Sequence, residues 1–78
     1  MGEDRRKQRL TLTIQQTAQD RLRQSPHAAI REVSCEFDEG VLVLRGRVPT
    51  FYCKQLAQET IGQLEGVVQI VNEIQVVG

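Results

Sequence analysis

A chain of 78 residues supports one domain, and folding at this size hides only about 60% of the surface that the unfolded chain exposes, which leaves little room for an enclosed active site. The chain is 40% apolar and 26% charged, and no apolar run approaches the ~20 residues needed to span a bilayer. Ten basic residues balance ten acidic ones, which argues against a dedicated nucleic-acid binder, because affinity for phosphate backbones comes from clustered Lys and Arg.

Residues 1–9 carry charge without apolar periodicity, and four basic and two acidic side chains fall between Glu3 and Arg9. They are expected to be a disordered, solvated tail ahead of a single domain at 10–78. No apolar secretory core follows these charges, and Met1-Gly2-Glu3-Asp4-Arg5-Arg6 lacks the Ser or Thr of a myristoylation signal, so the chain as it stands reads as cytoplasmic.

From Leu10 the apolar positions Leu10, Ile14, Ala18 and Leu22, with Thr17, recur at three and four residues, which predicts an amphipathic helix. Its opposite face is assigned Gln15, Gln16, Gln19, Asp20 and Arg23. Ser25-Pro26 ends it, because the residue before proline is pushed out of the helical region. Alternation of Leu10, Leu12 and Ile14 leaves the start anywhere up to Thr13.

Residues 31–37 alternate, with Val33, Cys35 and Phe37 on one side and Glu32, Ser34 and Glu36 on the other, as in a strand with one wet face. The turn follows at Asp38-Glu39-Gly40. Residues opposite each other in an antiparallel pair share a face, so a two-residue loop, Glu39-Gly40, sets Phe37 against Leu42 and Cys35 against Leu44 inside. The same loop sets Glu36 against Val43 and Ser34 against Arg45 outside, whereas a three-residue loop would scramble the faces. Gly46 breaks the second strand, and Val48-Pro49 leads out of it.

Thr50 is placed to cap a second helix with the stripe Cys53, Leu56, Ala57, Ile61 and Leu64, ended by Gly66. Residues 67–77 are rich in Val and Ile and read as one long strand. Strand, helix, strand requires a crossover, and a right-handed one lays the last strand parallel to residues 41–46. The fold class is therefore α+β, a two-layer sandwich in the order α-β-β-α-β, with a three-stranded mixed sheet and two helices on one face.

Two surfaces stand out as interaction candidates. The outward sheet face offers Val43 and Val71 among mixed charges, suited to a protein partner or to self-association and equally to ordinary solvation. The start of the second helix gathers Arg45, Arg47, Phe51, Tyr52 and Lys54, where cations beside rings suit an anionic headgroup or a partner carboxylate. Phe51 could instead staple the helix to the core. Two cysteines without zinc spacing point to reduced thiols, and the place of Cys53 on the apolar stripe predicts an inert filler. Paired carboxylates, a metal cluster, a phosphate loop and a nucleophile with its base are not visible, so neither an enzyme nor a cofactor is predicted.

The run Gly40-Val-Leu-Val-Leu-Arg-Gly46-Arg-Val48, the helix with Gln55, Leu56 and Ala57, and the terminal Gly66-Val67 with Ile70-Val71-Asn72-Glu73-Ile74 together resemble the BON domain, a small module of bacterial envelope and osmotic-stress proteins. The resemblance covers about residues 13–77 and rests on core apolars and on the structural glycines Gly40, Gly46 and Gly66. It implies a non-catalytic module that associates with anionic phospholipid or with an envelope or regulatory protein, and a periplasmic place if a leader or a longer parent precedes Met1. From another class comes a structural accessory domain that self-associates through its exposed sheet face or edge strand. Oligomeric state is left open.

Overall fold

The computed structural model describes the backbone from Gly2 to Gly78, with side chains from Arg9 onward. Its elements are α1 (Gly2–Arg23), α2 (Ala28–Arg31), β1 (Ser34–Asp38), β2 (Val41–Arg45), β3 (Arg47–Val48), α3 (Phe51–Ile61), β4 (Gln69–Asn72) and β5 (Gln75–Val76). β1, β2 and β4 form a mixed sheet in that order, with β1–β2 antiparallel and β2–β4 parallel, and β3 pairs with β5 in parallel.

The hairpin takes the predicted register, in which Phe37 faces Leu42, Cys35 faces Leu44 and Glu36 faces Val43. Asp38 opposite Val41 closes a two-residue loop in which Glu39 has φ 46° and Gly40 φ 85°. Positive φ at both central positions matches the right-handed twist of the strands. At Gly40 a Cβ would lie 2.7 Å from Cγ2 of the exposed Val68, which would have to turn away, and the φ of 85° is what calls for glycine.

Burial follows the alternation. Phe37, Cys35, Leu42 and Leu44 are buried, while Glu36, Ser34 and Arg45 point to solvent. Onto the buried face pack Ala18 and Leu22 of α1, Ile30 of α2, and Ala57 and Ile61 of α3, so all three helices share one layer. Val33, Val48 and Ile74 continue this core beneath the smaller sheet. Gly46 joins the halves, and a Cβ there would sit 3.3 Å from the Val33 Cα, a close approach one step beyond the Ser34–Arg45 pair of the hairpin register.

Several local expectations change. α1 begins at Gly2 rather than between Leu10 and Thr13, so the backbone of residues 2–9 is helical where a disordered tail was expected. Arg, Lys, Gln and Glu are good helix formers, and Glu3 and Asp4 fall at the end where the helix dipole favours negative charge. α2 was not foreseen; its four residues are too few to display a period. α3 stops at Gly62, with φ 64°, four residues before the expected Gly66, and Leu64 lies beyond the helix. Gly66 instead turns the chain toward β4 with φ 93°.

The single strand expected over residues 67–77 is two pieces. Asn72 turns inward and donates from Nδ2 to the Lys54 carbonyl (2.9 Å) and to Gln58 Oε1 (3.3 Å), and its Oδ1 accepts from the Ile74 N–H (3.1 Å). That local bond bends the chain between β4 and β5. The parallel ladder nonetheless persists across the bend, with N–H groups of Glu73, Gln75 and Val77 donating to carbonyls of Leu44, Gly46 and Val48 at 2.8–2.9 Å.

Gln15 and Gln19 also depart from expectation. They lie beside the buried stripe rather than on the solvent face, and both reach the free edge of β1. Gln19 Nε2 donates to the Val33 carbonyl (2.8 Å), the Cys35 N–H donates to Gln19 Oε1 (3.2 Å), and the Phe37 N–H donates to Gln15 Oε1 (3.0 Å). Two side-chain amides thereby occupy backbone positions that a further strand would take.

A guanidinium closes α3 from outside. Arg21 Nη1 donates to the Ile61 carbonyl and, at 3.4 Å, to that of Gln63, placing a cation at the negative end of the helix dipole. At the other end Thr50 caps α3 as predicted, its Oγ1 accepting from the Cys53 N–H at 3.1 Å. Such a cap contributes about 1 kcal/mol.

Candidate functional site

The structure divides the predicted cluster at the start of α3. Phe51, Tyr52 and Lys54 occupy the first turn of that helix, with Phe51 70% and Tyr52 67% exposed. Phe51 therefore does not staple α3 to the core. Lys54 Nζ stands 5.6 Å from the centroid of the Phe51 ring, a cation over an aromatic face.

Arg45 belongs elsewhere, on the outward face of the sheet. Its Nε donates to Glu73 Oε1 (3.1 Å) and its Nη1 to Glu36 Oε2 (3.2 Å), linking β1, β2 and the end of β4. The hydrogen bond and charge of Glu73, with the charge of Glu36, push the guanidinium pKa further up. Arg45 thus already has two carboxylate partners. Arg47 is exposed in β3 and shares a shallow depression with Arg45, Glu73 and Gln75.

On the outward face Val43 and Val71 are brought together as register partners, flanked by Val41 opposite Gln69. All three valines are half-buried, and the ion pairs of Arg45 lie one row along the sheet. The edge at β1 is occupied by the glutamine amides, so edge-strand pairing there would first have to displace them. Sequence periodicity had placed those amides in water.

Both thiols are free, but their settings differ. Cys35 is buried in the sheet, and burial pushes its thiol pKa up, countered in part by the charge of Arg23. Cys53 is half-buried, packed against the core from the first turn of α3. A thiol reagent on native protein is expected to label Cys53 first and Cys35 only at the rate of local opening. Mass spectrometry of partly labelled protein checks this, and equal rates would contradict the burial of Cys35.

Among the described residues no group of His, Cys, Asp or Glu is arranged to hold a metal ion, and no helix is long and apolar enough to cross a membrane. An apolar depression lies away from the α3 turn, between α1, the hairpin tip and the loop before β4. The family model described as the BON domain matches residues 11–78. No curated protein matches the chain.

Proposed function

The chain belongs to the BON domain family, and from that premise we propose that it is a binding module whose α3 turn docks on an anionic phospholipid surface. Domains of this family are non-catalytic and envelope-associated, and membership supports a place at the envelope. The observation that carries the lipid reading is the pair of neighbouring rings, Phe51 and Tyr52, each about two-thirds exposed beside the ammonium of Lys54. Rings of this kind settle at the level of headgroups, while a cation adjoining them meets lipid phosphate. Each basic residue near such a surface is worth about 1 kcal/mol at physiological ionic strength. With half-buried Lys54 and exposed Arg47 as its cations the footprint is small, so binding is weak and salt-sensitive.

The protein is expected to float with phosphatidylglycerol vesicles at low salt and to be released at high salt. Lys54→Glu should lower the bound fraction by turning attraction into repulsion, and Phe51→Ala should lower it without changing the salt slope. Arg45→Gln is the contrasting variant, because that guanidinium is already held by Glu36 and Glu73. If the protein stays in the pellet fraction with anionic vesicles even at low salt, the reading fails, and a protein partner at the same turn becomes the alternative.

A further inference from the structure

Midway along its length α1 carries apolar residues that the described fold leaves uncovered. Leu10 and Leu12 are 63% and 64% exposed. With Ile14 and Phe37 they form the floor of an open groove of about 1040 Å³. Its rim is acidic, formed by Asp38 and Glu39 at the hairpin tip and Glu65 before β4. No cation lines it.

An occupant that fits has apolar side chains beside a run of positive charge. The chain contains that complement in the same helix: Arg5, Arg6, Lys7 and Arg9 precede Leu10 and Leu12. A patch that carries both a feature and its complement pairs with a second copy of itself about a two-fold axis.

Length supports the same occupant. α1 has 22 residues, which makes it about 33 Å long at ~1.5 Å per residue. Among its described side chains, packing against the core starts at Ile14. The molecule accordingly measures 47 × 20 × 17 Å. Leu10 and Leu12 stay outside that packing, and a second helix laid against them supplies the apolar cover that the body of the domain does not.

We propose that two copies of this chain associate through antiparallel α1 helices crossing near Thr11, with Leu10 and Leu12 of each copy in the groove of the other. Arg9 of each then meets the acidic rim of Asp38, Glu39 and Glu65 on its mate. This association does not depend on the lipid reading, since the α3 turn lies outside the groove.

Sedimentation equilibrium of the chain from low micromolar to millimolar concentration tests it. The mass should rise from 8.9 kDa toward twice that value. Leu12→Glu alters an exposed side chain, so circular dichroism should be unchanged while the mass stays monomeric throughout. Glu65→Arg should raise the dimer dissociation constant about tenfold, and adding Arg9→Glu should recover most of that loss, because the charges are exchanged rather than removed. Monomer throughout the range overturns the proposal. So does a dimer that survives Leu12→Glu but is lost in Val43→Lys, which would put the contact on the sheet face. A monomer that binds a basic amphipathic peptide, with binding abolished by Leu12→Glu, assigns the groove to another protein and equally overturns it.

Discussion

Leu44→Ala is expected to remove ~2–5 kcal/mol from the folding free energy, the range for truncating a leucine in a packed interior. Leu44 is wholly buried, flanked in register by Cys35 on one side and Asn72 on the other. For a 78-residue chain, total stability at ~0.05–0.15 kcal/mol per residue is on the order of 4–12 kcal/mol. The substitution therefore takes away a large share, and urea unfolding followed by circular dichroism should show a much lower midpoint at an unchanged slope. Val43→Ala, one position along on the outward face, should cost under ~1 kcal/mol. The contrast tests the register itself, since a slip of one residue would exchange the two side chains between core and surface. A larger loss for Val43→Ala than for Leu44→Ala would mean that the hairpin is paired one residue out.

That register was readable because two constraints coincide. Alternation over Val33–Phe37 fixes which residues point inward, and the parity of the loop fixes which residue of the next strand each one meets. The crossover to β4 was readable for a similar reason, since strand, helix, strand has one favoured hand. The features that sequence reasoning missed depend on distant partners. Arg21 caps a helix whose end lies 40 residues away, and nothing local marks it as different from Arg23. Gly62 and Gly66 are equally suitable stops, and Leu64 extends the apolar stripe past the first of them, so periodicity favoured the later one.

The candidate surface was legible in part. Residue types brought Arg47, Phe51, Tyr52 and Lys54 forward, and the structure leaves both rings exposed. Arg45, grouped with them, sits on the outer sheet face that strand alternation had already given it, and there Glu36 and Glu73 meet it. The pairing with Glu73 depends on the parallel register of β4, which a local reading cannot supply. The groove under α1 was missed because its walls come from three segments far apart in sequence, Leu10–Ile14, Phe37–Glu39 and Glu65–Gly66, which no local pattern brings together.

Gln19→Ala should cost ~1–3 kcal/mol, from two part-buried hydrogen bonds of about 0.5–1.5 kcal/mol each. The cost arises on the backbone of β1, where the Val33 carbonyl and the Cys35 N–H would lose their amide partner. A second consequence follows from where that backbone lies. An uncovered strand edge templates pairing with another chain, so the variant should aggregate more readily than the parent on mild heating. Gln19→Glu separates donor from acceptor. An ionised carboxylate can still accept from the Cys35 N–H but faces the Val33 carbonyl oxygen without a proton to give. Once protonated, the acid can donate to that oxygen, so the folded state favours the protonated form and raises the introduced group's pKa above its unfolded value near ~4.3. The stability recovered relative to the parent should then be complete below that unfolded value and vanish as pH rises through the folded one. Measuring the difference from the parent at each pH cancels the other carboxylates. If Gln19→Glu follows the parent at every pH and Gln19→Ala is neutral, the glutamine amide does not hold the strand edge.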